Sequence, residues 1–371
     1  MQESGGARSK SRSNFLHANM NYMTQLTQIA ITARKMVRYS IYFIIFLTAG
    51  KILLDLSIGI YKKIFPAPPP PPTVKFGKLT KIPFPVNTAA PKLTYTLETP
   101  DGGFPKEPNQ AKVYFMPKVS ANLLSLDTAK EKANAMGFNG DALQVSDTDY
   151  KFKSKDYPVT LEMNIISGVF SISYDLNADR TPIEKIPPVP EVGASAFRSF
   201  LSGANILPDD LTGPTSHDFL KLSAGKFVSA LSLSESNAVK VNLFRKSYDN
   251  LPAMTANPNE ANVWAILTGA QDKNRQIIAA EYHYFPVDES QFSTYPIKTP
   301  EEAFSELQNG KAYIASLGLN KDGGSLKIRR VYLAYFDPET QSEFYQPIYV
   351  FEGDNGFVAY DPAVTSQYYG Q

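Results

Sequence analysis

The sequence predicts an α+β protein with one N-terminal transmembrane helix, a proline-rich stalk, and a series of helix-plus-antiparallel-meander units. Three observations predict it. An apolar run, Tyr39 to Ile60, is followed by Tyr61-Lys62-Lys63 and by Pro66-Ala67-Pro68-Pro69-Pro70-Pro71-Pro72. Beyond residue 92, short alternating runs rich in Val, Ile, Tyr and Phe follow each marked helix, about three times over. Twenty-eight prolines, many of them between apolar runs, favour short strands and loops over long helices.

The apolar run justifies the first element. At ~1.5 Å per residue it reaches ~33 Å, about the thickness of a hydrocarbon core. Lys51 and Asp55 interrupt its second half, at ~2.5–3.5 kcal/mol each on insertion scales. Their i, i+4 spacing puts them on one face, so they can meet each other or a partner helix. A cleaved leader fits poorly, because the run is long and continues into two lysines. The chain has no cysteine, which excludes disulfides and a lipid-modified cysteine anchor.

Arg8, Lys10, Arg12, Arg34, Lys35 and Arg38 stand against Glu3 before the helix, which predicts a cytoplasmic N-terminus in a bacterial membrane and an extracytoplasmic remainder. Net charge is +1, so nothing in the balance points to nucleic acid. Spacing at Leu16, Met20, Met23, Leu26, Ala30 and Ala33 is helical and predicts either a surface helix or an extension of the spanning one.

Boundaries follow from composition. Residues 1–38 form a basic tail, 39–61 the spanning helix, and 62–92 a stalk and extended arm. A first α+β unit covers 93–176, a linker 177–192, a second unit 193–290 and a third 291–371. In the first unit, strands are predicted at Leu93–Leu97, Lys112–Met116, Asp149–Lys153, Val159–Ile165 and Val169–Asp175. A helix capped by Ser125 or Asp127 and stopped by Gly137 lies among them. In the second, a helix at Ser195–Ser202 precedes strands at Phe219–Leu222, Lys226–Leu231, Val239–Phe244, Val263–Leu267 and Ile277–Phe285. Ala279, Glu281 and His283 alternate with apolar neighbours there, giving one wet face. In the third, Thr299-Pro300-Glu301-Glu302 is a capping box ahead of Ala303, Phe304 and Leu307, and Gly310 ends the helix. Strands at Ala312–Leu317, Lys327–Phe336, Phe344–Phe351 and Phe357–Tyr360 follow.

Motifs that would commit the chain to a reaction are missing: no phosphate-binding loop, dinucleotide fingerprint, zinc-protease helix or nucleophile elbow is present. Ser216-His217-Asp218 is consecutive and cannot converge as a triad. Ser223-Ala224-Gly225-Lys226 matches a serine–lysine pairing but reads as strand–turn–strand. Asn320 to Gly324 lacks the alternating carboxylates of a calcium loop. No cofactor or metal is expected. The aromatic strands around Tyr332, Tyr335, Tyr345 and Tyr349 are either sheet-stabilising pairs or a face for a partner protein or glycan. Pro347 suggests an edge strand, open to a partner's strand.

The segments YPIKTPEEAFSELQNG, IRRVYLAYFD and QPIYVFEGD resemble YycH/YycI-type regulators and related PepSY-like modules, as does DTAKEKANAMGF for the first helix. The resemblance implies a single-pass bacterial membrane protein, PepSY-like units and contact with a sensor histidine kinase. The proline-rich stalk followed by FGKLTKIPFP is similar to uncharacterised single-pass membrane proteins of candidate-phyla bacteria. The leading expectation is a non-enzymatic anchored protein that binds or regulates another envelope protein, with Lys51, Asp55 and the four tyrosines as contacts. A cell-wall or glycan-binding surface protein is the alternative; an unrecognised hydrolase is a third.

Overall fold

The computed structural model describes residues 8–64, 70–86, 91–120, 122 and 124–370, with the side chains of 8–27, Lys62 and Ile64 outside that description. The chain divides into two units, Met1–Pro71 and Pro72–Gln371. Residues 1–7 of the basic tail and 65–69 of the polyproline stretch lie outside the described residues.

The first unit is one helix, α1 (Arg8–Ile64), of 57 residues and about 86 Å. It runs without a break through the stretch for which a separate surface helix was the other expectation. The stretch Gln28–Tyr61 is long and apolar enough to cross a membrane, and the expected span of residues 39–61 lies within it. Its large apolar side chains are exposed all round, Phe43 at 61% and Phe46 at 72% among them. That is the character of a helix solvated by lipid or by other helices.

The second unit opens with the expected extended arm, residues 72–86, which is docked on the body although folded structure is expected only from Leu93. Leu79 is fully buried and Ile82 nearly so. Leu79 N–H donates to the Tyr368 carbonyl at 2.8 Å and Gly370 N–H to the Leu79 carbonyl at 3.1 Å. Tyr369 Oη accepts from Ile82 N–H. The apolar residues of GKLTKIPF explain this docking, because extended chain with buried Leu and Ile stabilises a body by ~1.5–3 kcal/mol per side chain.

After β1 (Leu93–Leu97) and β2 (Gln110–Phe115), which pair with strands from the far end of the chain, comes α2 (Ser125–Ala135). Neither Ser125 nor Asp127 caps it: Leu124 holds the cap position without a side-chain bond, and Ser125 is already helical and buried. Gly137 stops it at φ 91°, a conformation costly for other residues. The strands β3 (Ala142–Gln144), β4 (Asp149–Lys153), β5 (Val159–Asn164) and β6 (Phe170–Tyr174) then form a meander. Next, α3 (Pro190–Gly203) starts inside the proline-rich connector, with Pro190 in its first turn, where a missing N–H costs nothing.

Strands β7 (Thr215–Ser223), β8 (Lys226–Ser229), β9 (Ala238–Leu243), β10 (Ala253–Met254), β11 (Val263–Thr268) and β12 (Ile277–Tyr282) follow. All but β10 join β3–β6 in one antiparallel sheet of nine strands, ordered β3-β4-β5-β6-β12-β11-β9-β7-β8. The last strand of the first meander thus pairs with the last of the second, Phe170 opposite Tyr282, and residues 142–282 share a sheet across the connector. Ala129, Ala133, Phe197 and Leu201 of the two helices are buried in the same core as Leu161, Val241, Ala265 and Ala280.

The remaining strands are β13 (Asp288–Pro296), β14 (Tyr313–Ser316), β15 (Gly324–Phe336), β16 (Phe344–Tyr345), β17 (Pro347–Gly353) and β18 (Phe357–Pro362), with α4 (Pro300–Gln308) after β13. The capping box of α4 is formed: Thr299 Oγ1 accepts from Glu302 N–H at 3.2 Å, and Thr299 N–H donates to Glu302 Oε2 at 2.9 Å. A six-stranded sheet runs β1-β15-β17-β18-β14, with β10 also on β15; β13-β2-β16 make a third, small sheet. Pro347 is the first residue of β17, an interior strand, so the expected edge is not there; a first-position proline forfeits no interior ladder bond. Ala303, Phe304 and Leu307 of α4 pack on one side of that sheet with Tyr349 and Phe351. Ile82 and Phe84 of the arm pack with Ile348 and Val350.

Candidate functional site

The layering decides the fate of the residues singled out by sequence. Tyr335, Tyr345 and Tyr349 are fully buried, which corrects their assignment as partner contacts. Tyr335 stacks on Tyr345 with ring centroids 5.1 Å apart, and Tyr349 Oη donates to the Lys298 carbonyl at 2.7 Å. Their strands are covered on both faces, so the aromatic pattern is core packing. Tyr332 is half-buried; its hydroxyl donates to Glu352 at 2.7 Å and Arg330 lies over its ring. Lys51 and Asp55 are exposed on α1, and no ion pair joins them among the described residues. A lysine preceding an acid by four is the weaker order for a pair within one helix.

Ser216, His217 and Asp218 lie on β7, where neighbours point to opposite faces. Ser223 pairs directly with Lys226 across a hairpin, as the strand–turn–strand reading expects.

Two groups of charges that the sequence does not assemble meet in the body. The first is buried. Arg245 follows β9 and sits between Asp210 at 2.6 Å and Asp337 at 2.7 Å. Its remaining group donates to the Phe285 carbonyl, Tyr284 covers the guanidinium at 4.3 Å, and Tyr248 Oη donates to Asp210 at 2.8 Å. Burial pushes the Asp337 carboxyl up, with Arg245 opposing it. Asp337 directly follows β15 of the six-stranded sheet, so this knot joins the two large sheets.

The second group lines a cleft of about 330 Å3 on the wet face of the nine-stranded sheet, between the 256–262 loop and Glu339. The register makes it: Trp264 lies opposite Glu281 on β12 and opposite Asn242 on β9. Lys240 places its ammonium 4.0 Å from the centre of the Trp264 ring and pairs with Glu260. His283 Nε2 is 3.1 Å from Glu281 Oε2. That bond holds the imidazole pKa above its ordinary value, against burial and with help from the nearby Glu339 charge.

The cleft rests on a firm support. Fully buried Asn242 accepts from Ala261 N–H at 3.2 Å and donates to Ser216 Oγ at 3.1 Å. Thr255 Oγ1 is within 2.7 Å of the Asn257 and Glu260 carbonyls. Asn262 donates to the Asp337 carbonyl at 3.0 Å, which ties the cleft to the strand that carries the buried knot. Among the described residues, no three His, Cys, Asp or Glu are grouped to hold a metal ion. Sequence reasoning marked Glu281 and His283 as lying on a wet face; Trp264, Glu260 and Glu339 carried no local signal.

No family model and no curated protein matches the chain. Among solved structures, the crystal structure of an uncharacterized protein from Eubacterium rectale ATCC 33656 is similar over 69% of this chain and 84% of that one, at 12% identity and a TM-score of 0.34.

Proposed function

We propose that this chain is a membrane-anchored protein of the bacterial envelope that works by binding another envelope protein. The observation that carries the reading is the helix spanning Gln28–Tyr61, which holds a segment long and apolar enough to cross a membrane and has no buried position in its own unit. Such a surface is stable in lipid, where the backbone bonds of a helix are satisfied internally. The basic residues Arg34, Lys35 and Arg38, on the N-terminal side of the apolar run that starts at Tyr39, favour an N-terminus in the cytoplasm and a body outside. Lys51 and Asp55, unpaired within their helix, are the groups that a partner's membrane helix would neutralise, since an ion left alone in hydrocarbon costs ~2.5–3.5 kcal/mol. The resemblance of the C-terminal segments to kinase regulators makes a sensor histidine kinase the class of partner to test.

The test is photo-crosslinking of the full-length protein in its native membrane, followed by mass spectrometry of the attached chains. A distinct membrane protein is expected, and its yield should fall several-fold for Lys51→Leu and Asp55→Leu with insertion unchanged. Recovery of lipid alone, or a yield indifferent to both substitutions, would sink the reading. Orientation is checked on the same chain with single introduced cysteines, for which its cysteine-free background is suited.

A further inference from the structure

We infer that the Trp264 cleft is a binding site for a neutral saccharide. The inference stands on the body alone and does not depend on the membrane reading. Its first support is charge compensation. Lys240 is paired with Glu260, and His283 is bonded to Glu281, so two of the three lining carboxylates already have side-chain partners. A site for a strongly cationic ligand would leave its carboxylates without side-chain partners; here, among the described residues, Glu339 alone of the lining acids has no hydrogen-bonded side-chain partner. What the pairs leave is a dense set of fixed, planar hydrogen-bonding groups. Each carboxylate oxygen has further lone pairs to offer, and each ammonium or amide further hydrogens.

The second support is the aromatic floor. Trp264 has Lys240 over its ring, which fixes the indole, and Trp264 is part of the cleft's lining. A sugar ring presents C–H groups from its faces and hydroxyls from its rim. Stacking the former on an indole while the latter exchange bonds with Glu281, His283 and Asn257 meets both halves of that chemistry at once. The third support is preorganisation. Asn242, Thr255 and Asn262 hold the surrounding backbone through bonds of their own, so the wall is built before a ligand arrives and little ordering entropy is lost on binding. At about 330 Å3 the cleft is at the small end of ligand sites, about 300–1,000 Å3. That size suits a mono- or disaccharide, or the end of a longer glycan.

The chain contains one tryptophan, so indole emission reports on this cleft and nowhere else. The full-length protein in lipid nanodiscs, which avoid sugar-headed detergents, is titrated with glucose, N-acetylglucosamine, cellobiose and chitobiose, and separately with spermidine. A saturable change in Trp264 emission is expected with at least one of the sugars and not with spermidine. Asn257→Ala and Glu281→Gln, both at exposed or half-exposed positions, should each weaken that binding about tenfold, the loss of one hydrogen bond that involves a charged or amide group. Their thermal unfolding should stay within a few degrees of the parent's. Emission unmoved by all four sugars overturns the inference. So does saturation by spermidine in competition with the sugar, which would make this a cation site, or a sugar affinity indifferent to both substitutions.

Discussion

The knot at Arg245 and the cleft at His283 are made from the same materials, a cation between carboxylates beside an aromatic ring, and lie at the two ends of the Asn262–Asp337 contact. Their difference is water. The Arg245 side chain is 1% exposed and its two carboxylates 9% and 7%; the His283 and Glu281 side chains are 27% and 34% exposed. A charge sealed away must have its partners or the fold suffers, so the knot serves architecture. A charge that keeps contact with solvent can exchange one partner for another at low cost, so the cleft is free to bind.

The largest effect that tests this contrast is in the knot. Arg245→Met leaves Asp210 and Asp337 buried without a cation and should cost ~3–5 kcal/mol in denaturant unfolding. Adding Asp210→Asn and Asp337→Asn should recover part of that loss, because the penalty belongs to the orphaned charges. A single substitution costing under ~1 kcal/mol, or a triple variant no better than the single, would show that the knot is not sealed. A neutral, exposed bond provides an intermediate standard: Thr299→Ala, which removes the cap of α4, should cost ~1 kcal/mol in the same assay.

The smallest effect is in the cleft. Glu281→Gln should change stability near neutral pH by less than ~1 kcal/mol, as exposed pairs do. It should nevertheless shift the His283 titration downward, read by NMR against a His283→Gln assignment control. The sign follows from linkage. His283 binds its proton more tightly in the folded state, so its contribution is fully present below the unfolded value of about 6.5. It is lost as pH rises through the higher folded value. The stability difference between parent and Glu281→Gln should therefore shrink as pH rises above 6.5. A difference that grows instead would mean that Glu281 does not hold the imidazolium.

Local signals in the sequence were sufficient for elements that are fixed locally. Leu93–Leu97 and Asp149–Lys153 alternate cleanly and coincide with β1 and β4, and the Thr299–Glu302 box is a four-residue device that acts within itself. Helix α3 was too short in the sequence reading because Pro190 reads as a linker until its place in a first turn is known. Strand β13 was missed altogether: Asp288, Glu289, Ser290 and Gln291 give it a polar start, and its pairing with β2 lies far away in sequence. The tyrosines failed for a related reason. Alternation tells which side of a strand a residue takes, but not that α4 covers Tyr349 and that Tyr114, Tyr248 and Phe285 enclose Tyr335 and Tyr345. In the cleft, Glu281 and His283 could be placed together because they are two apart on one strand. Trp264 joins them only through the β11–β12 register, and Glu339 only through the packing of a second sheet.

The docked arm has a mechanical consequence. Residues 73–84 connect the body to whatever holds the chain at its N-terminal side, and they are fastened to residues 368–370 by the bonds at Leu79 and Ile82. A pull transmitted along the chain therefore loads this clasp before it reaches any strand of the two large sheets. The clasp holds through bonds to residues 293–294 and 368–370 and is loaded before β1, whose five-residue ladder on β15 comes next along the chain, so it gives way first. Its release would let out about 40 Å of extended chain while the knot and the cleft stay intact, a fuse in the tether that spares the machinery beyond it.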